Sequence, residues 1–193
     1  PDPSLWDSYL TVHNAMSGYF DWEHEPWTFD YVEGPRVPTG ADVRVRLLFE
    51  DGKVLRFHDS RLFGRMAIVD RVPDVGPELL KTPNGMPGLP VITLAQFADR
   101  IWTDPRPVKA VLMDQDVVAG IGNIYSNEAC HLAAVNPHTP ANRMPPATIP
   151  SLLEALRCAV LHSMPTVVYQ WLNVYRRSAC GSCGRPVVRT EIA

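Results

Sequence analysis

The residues of this chain that invite a chemical reading fall in four places. In 109–134, KAVLMDQDVVAGIGNIYSNEACHLAA, Asn123 follows Gly120 and Gly122 and opens an apolar-periodic run of Ile124, Tyr125, Ala129, Leu132 and Ala133. That pattern predicts a helix with Asn123 as its N-cap, beside unpaired amides and the positive end of a helix dipole. Such a corner suits an anion, phosphate above all, although two helices joined by a tight glycine turn are also an ordinary all-α connection. Cys180 and Cys183 have metal-ligand spacing, and Gly181 and Gly184 permit the tight turn of a knuckle. One such pair is half of a structural zinc site, so spacing alone leaves the metal open. The remaining two places are loops. HNAMSG holds His13 and Met16, and HDSRLFG sets Arg61 and Phe63 on either side of Leu62. By residue type, His13 is a strand-end histidine, Met16 suits a core, and Arg61 with Phe63 suits a surface cation–π pair.

The elements that must position these residues are partly legible. Residues 10–20 read as a strand entering a turn at Ser17 and Gly18, and 21–40 as a loop or irregular hairpin. In 42–48, Val43, Val45 and Leu47 alternate with Arg44 and Arg46, which predicts a half-buried strand. Glu50, Asp51 and Gly52 turn the chain, 53–57 returns, and 65–69 follows HDSRLFG, so the expectation is an antiparallel meander forming one sheet of a sandwich or flattened barrel. Pro73, Pro77, Pro83, Pro87 and Pro90 mark an irregular connector. Thr93 is the expected N-cap of a helix reaching about Trp102. Val111, Leu112, Val117 and Val118 predict a helix before Gly120. After a proline-rich stretch, 151–162 predicts a helix burying Leu152, Leu153, Leu156, Val160 and Leu161, with Cys158 packed in the core.

Composition bounds the class. The chain has 193 residues, is 46% hydrophobic, and holds no apolar run of transmembrane length and no signal-peptide pattern, so the expectation is a soluble cytoplasmic protein. Its net charge of -3 is unusual for a partner of a polyanion. The deficit is uneven: residues 1–106 carry 11 basic and 16 acidic side chains, and residues 107–193 carry 7 and 5. The basic excess falls on the half with the glycine turn and the cysteine pair.

Taken whole, the string 109–134, the loops HNAMSG and HDSRLFG, and LNVYRRSACGSCGRPVVRT closely resemble the formamidopyrimidine-DNA glycosylase and endonuclease VIII family, whose members excise damaged bases and nick the strand. The resemblance implies an α+β fold: an incomplete antiparallel β-sandwich portion over 1–72, a connector over 73–92, a helix-two-turn-helix DNA-binding domain over 93–168 and a partial zinc-finger hairpin over 169–193. It implies that Asn123 holds the DNA backbone, that His13 contacts phosphate and that Lys109 lies at the mouth of the lesion site. Met16, Arg61 and Phe63 become a wedge that enters the duplex together and fills the space of a flipped-out nucleotide. Cys180 and Cys183 become half the ligand set of one structural zinc ion; the second pair and a DNA-touching arginine at the hairpin tip would lie beyond Ala193, so Arg189 is not given that role. The implied partner is double-stranded DNA carrying a damaged base or an abasic site, bound by a monomer.

The catalytic end departs from the pattern. Family members begin with a proline whose secondary amine attacks the sugar, then a glutamate acting as acid and base, then a helix and several strands before the HNAMSG-like segment. Here Pro1 and Asp2 stand just before that segment, and the intervening elements are missing. The expectation is that Pro1 marks where this chain starts and is not the nucleophile. Two functions remain: a glycosylase with abasic-site lyase activity acting through a Schiff base, and a non-catalytic relative that binds abasic or distorted DNA without cutting it. A third reading, binding of ribosomal RNA, is opposed by the two β loops.

Overall fold

A computed structural model describes residues 8–14, 18–23, 41–71, 74–81, 90–163 and 171–192, together with the backbone of 29–31 and 34–36. The chain divides into two compact units, 1–73 and 74–193. The first is built of strands β1 (Tyr9–His13), β2 (Gly18–Trp22), β3 (Phe29–Tyr31), β4 (Gly34–Arg36), β5 (Val43–Leu48), β6 (Val54–Asp59) and β7 (Arg65–Val69); the second contains helices α1 (Leu94–Trp102), α2 (Val108–Leu112), α3 (Asn123–Leu132) and α4 (Thr148–Ser163).

Among the described residues all pairings between the named strands are antiparallel, but they are not a meander. β6 lies between β2 and β5, whereas β7 leaves to pair with β1, and β3 pairs with β4. Gly18, expected in a turn, opens β2. The alternation in β5 appears as alternating half-buried and exposed residues, interrupted in register by an irregularity between Val43 and Val45. The turn after it needs a glycine, since Gly52 adopts φ +82°.

One face of the β2–β6 ladder carries a buried ionic cluster. The register sets Tyr19 opposite His58 and Asp21 opposite Arg56, next to each other on the same face. The Asp21 carboxylate receives both Nε (2.8 Å) and Nη2 (2.6 Å) of Arg56 and Nε2 of His58 (2.9 Å), while the His58 ring stacks on Tyr19 with centroids 4.6 Å apart. Burial works to raise the Asp21 pKa, but the bonds from Arg56 and His58 prevail and hold it below 3.8.

In the helical unit, Thr93 caps α1 as expected and forms a capping box with Gln96, while Phe97 and Ile101, one turn apart, enter the core. Leu79, Ile92, Val108, Val111, Leu112, Ile121, Leu152, Leu153 and Leu156 fill the rest. α2 is shorter than its apolar spacing suggested, ending at Leu112; Val117 and Val118 are buried, but from a series of turns. α4 starts three residues earlier than expected, with Pro150 tolerated in its first turn because the amide it lacks would be unpaired there. Its buried stripe is Ile149, Leu152, Leu153, Ala155, Leu156 and Ala159. Leu161 is 52% exposed and Cys158 is also exposed, so both expectations of core packing fail. Among the described residues no helix is long and apolar enough to cross a membrane.

Replacing Asp21 by Ala strands a guanidinium and an imidazole in this buried cluster, so denaturant unfolding of the chain should show a loss of about 3–5 kcal/mol. The pH dependence has a defined sign: the Asp21 contribution is complete above pH 3.8 and disappears as pH falls through the lower folded-state value. Asp21→Asn removes that part of the acid limb of a stability–pH curve.

Candidate nucleic-acid interface

The two loops singled out by sequence bridge the same two sheets. One leaves β1 at His13, which pairs with Arg65 of β7, and enters β2 at Gly18, which pairs with Asp59 of β6. The other leaves β6 at Asp59 and enters β7 at Arg65. The register therefore brings exposed His13, the ends of the 14–17 connection and the 60–64 loop to the same edge of the β unit. Met16 itself, like Pro1 and Asp2, lies outside the described residues. Gly18 is required at this junction, because a Cβ there would lie 2.4 Å from the Asn14 carbonyl oxygen and 2.9 Å from the Phe57 ring.

Asp59 shapes the second loop. Its Oδ1 accepts the Arg61 amide (3.2 Å), its Oδ2 accepts the Gly64 amide (2.6 Å), and its carbonyl receives Nε of Arg44 (2.8 Å). Inside that clamp Leu62 is driven to φ +59°, a left-handed conformation unusual for a leucine. The outcome is an apolar tip, with Leu62 68% and Phe63 54% exposed and the Arg61 guanidinium 4.9 Å above the Phe63 ring. The cation–π pair anticipated from residue types thus exists, on a tip that withholds two large apolar side chains from any core. Leu62 was not among the residues picked from sequence; its place between Arg61 and Phe63 was the available signal.

In the helical unit Asn123 is not the N-cap. Gly122 takes that position in extended conformation, and its carbonyl accepts the Ser126 amide (3.0 Å). Asn123 is the first helical residue and is exposed, its Oδ1 receiving Nδ2 of Asn127 (2.9 Å). No side chain caps the helix, so its first amides stay available, and among the described residues Asn123 Nδ2 has no acceptor. Lys109, half-buried on α2, has its pKa lowered by burial, opposed by the nearby Cys130 thiol. Burial pushes Cys130 itself up to about 12. Cys130, the group Lys109 senses, lies two turns along α3 from Asn123.

The cysteine pair is tied to the same helix. Buried Glu128 of α3 accepts the amides of Asn173 (2.7 Å), Val174 (2.8 Å) and Tyr175 (2.7 Å) and Nδ2 of Asn173 (3.2 Å). Periodicity carries no sign of this, since glutamate on a helix ordinarily faces water. Farther on, Gly184 takes φ +70° and donates to the Cys180 carbonyl, and the Cys180 amide donates to the Arg185 carbonyl (2.8 Å). The amides of Cys183 and Ser182 point at the Cys180 sulfur and lower its pKa, as a thiolate metal ligand requires. His131 Nε2 lies 3.6 Å from that sulfur, yet among the described residues no group of three or more His, Cys, Asp or Glu side chains is arranged to hold a metal ion. Cys180 and Cys183 fit half of a zinc site and nothing described completes it.

Asp59→Ala should release the 60–64 loop: hydrogen exchange at the Arg61 and Gly64 amides is expected to accelerate about tenfold or more, with the far-UV circular dichroism of the chain unchanged.

Comparison with known proteins places this geometry. Residues 86–164 match the family described as the formamidopyrimidine-DNA glycosylase H2TH domain. The chain is 34% identical to the formamidopyrimidine-DNA glycosylase of a Synechococcus species, over 94% of this chain and 68% of the relative. It is 32% identical to that of Herpetosiphon aurantiacus, over 95% and 70%. The crystal structure of MutM (Fpg) from Thermus thermophilus superposes with a TM-score of 0.75 at 28% identity, covering 97% of this chain and 72% of that one. Lactococcus lactis Fpg, bound non-covalently to DNA containing an AP site, shares the fold with a TM-score of 0.74 at 22% identity, covering 97% and 70%. With its antiparallel sheets, its helical domain and relatives of this identity and coverage, the chain belongs to the formamidopyrimidine-DNA glycosylase family.

Proposed function

We propose that this protein acts in base excision repair as a DNA glycosylase with abasic-site lyase activity, binding as a monomer to duplex DNA that carries an oxidised base or an abasic site. The observation that carries the reading is the exposed Arg61–Leu62–Phe63 tip, clamped by Asp59 beside the connection that contains Met16. An apolar plug offsets the stacking lost when a nucleotide is turned out, and a guanidinium pairs with the base left on the opposite strand. In this role Arg61 leaves the Phe63 ring as it enters the duplex.

Asn123, with the open amides of α3, holds a phosphate of the backbone, and His13 holds another. Lys109 contributes at the lesion mouth, where burial favours its neutral form. Cys180 and Cys183 hold a structural zinc ion together with ligands from outside the described residues; the ion would fix the hairpin that Glu128 anchors to α3. The chemical step is attack of an unprotonated amine on the sugar C1′ as the bond from C1′ to the base breaks and the base leaves with a proton. The amine nitrogen then gives up its proton and its lone pair opens the C1′–O4′ bond, O4′ taking a proton, to give an iminium that opens the way to strand scission. None of the described residues is given the role of that amine, and Pro1 is not proposed for it.

Borohydride reduces such an iminium to a permanent protein–DNA link. Incubation of the full-length protein with duplexes containing common oxidised bases or an abasic site should give a covalent adduct. Binding with no adduct on any of them identifies a non-cleaving relative, and absence of binding rejects the DNA reading. Asn123→Ala should weaken binding about tenfold at every salt concentration, leaving the slope of log affinity against log salt unchanged because the lost contact carries no charge.

A further inference from the structure

One side chain links the two ends of the turns between α2 and α3. Gln115 Nε2 donates to the Met113 carbonyl (3.0 Å), where α2 ends, and to the Ile121 carbonyl (2.9 Å), just before the Gly122 N-cap. Its Oε1 accepts the Gly120 amide (2.9 Å). One carboxamide therefore joins the entrance of the crossing to its exit. The backbone around it is fixed independently. The Gln115 carbonyl accepts the Gly76 amide (2.8 Å), the Asp116 carbonyl accepts a bond from Arg100, and Ala119 donates to the Pro77 carbonyl (3.0 Å). Arg106 holds the preceding residue, Asp114, at 2.8 Å. A Cβ on Gly76 would stand 2.6 Å from the Asp116 oxygen, so the segment seats against the turn at backbone contact.

At the exit, Gly120 takes φ +82° with open space where a Cβ would be, so its conformation, not its size, is what the site needs. A flexible glycine leaves the direction of the following residues undetermined unless something binds it. Gln115 does so from both sides, through the Gly120 amide and the Ile121 carbonyl. Ile121 is buried, Gly122 is extended, and Asn123 is the next residue.

We propose that Gln115 is a positioning residue for DNA-backbone recognition: by bonding Gly120 and Ile121 to the end of α2 it fixes the orientation in which Asn123 and the first amides of α3 meet a phosphate. This rests on the reading of Asn123 as a phosphate contact and names what makes that contact rigid. Gln115 is exposed and contributes no core packing.

The test measures the affinity of the full chain for a duplex containing a tetrahydrofuran abasic analogue, over a potassium chloride titration, for wild type, Asn123→Ala, Gln115→Met, Gln115→Ala and the Gln115→Met/Asn123→Ala double variant. Either substitution of Gln115 should weaken binding about tenfold at every potassium chloride concentration, as Asn123→Ala does, with the salt slope unchanged because no charge is removed. The double variant should lose less affinity than the two single losses combined, because both changes act on the same phosphate contact. Wild-type affinity in both Gln115 variants, with Asn123→Ala weakened, overturns the role of Gln115 and leaves the phosphate reading standing. Additive losses in the double variant also overturn it, since they mark Gln115 as a separate contact. Unchanged binding in Asn123→Ala removes the phosphate reading and this proposal with it.

Discussion

The helical unit depends on one buried carboxylate. Among the described residues Glu128 forms no ion pair; the charge is met by three consecutive backbone amides and a side-chain amide from 173–175. A buried carboxylate without donors is strongly disfavoured, and three amides in sequence without an acceptor are disfavoured as well, so each half makes the other tolerable. The arrangement forces the chain after α4 to come back and lie against α3. The cysteine knuckle inherits its location from this contact, and the Gly181 amide adds to it by donating to the Asn173 carbonyl (2.9 Å). His138 and Thr190, 2.7 Å apart, secure the far end of the segment.

The β unit uses acidic side chains in the same manner. Asp21 collects the donors of Arg56 and His58 inside a sheet, and Asp59 collects the amides of a loop. These residues lie in the acidic half of the chain, where a surplus of carboxylates is at odds with a nucleic-acid partner. Some of that surplus is internal structure. Asp21 neutralises a guanidinium within the fold, and Asp59 faces amides, so neither presents an unopposed charge in the way a solvated carboxylate does.

How much of this was legible in sequence depended on the range of the forces involved. The Thr93 cap, the alternation of β5 and the limits of β7 were readable because neighbouring residues decide them. The extent of α2 was misjudged: Val117 and Val118 are buried at helix-like spacing, but Arg106, Asp114 and Gln115 draw the chain into turns that periodicity does not encode. Asn123 missed the N-cap position by one residue, since an extended glycine fills it without a side chain. Cys158 and Leu161 belong to an apolar helix whose buried stripe runs along the other side. The partners of β6 and β7, and the bond from Glu128 to a segment 45 residues away, are chosen by tertiary contacts, and no local pattern announces them. For the functional residues, strings of several residues held together as a family signature carried information that single residue types did not.

The paired crossings between the β1–β7 and β2–β6 ladders tie the two loops to one another. Both connections span the same gap, one in each chain direction, from ends fixed in register at His13 opposite Arg65 and Gly18 opposite Asp59. Both tips are thus carried on one pair of ladder ends, so an opening of either ladder at this edge loosens both connections at once.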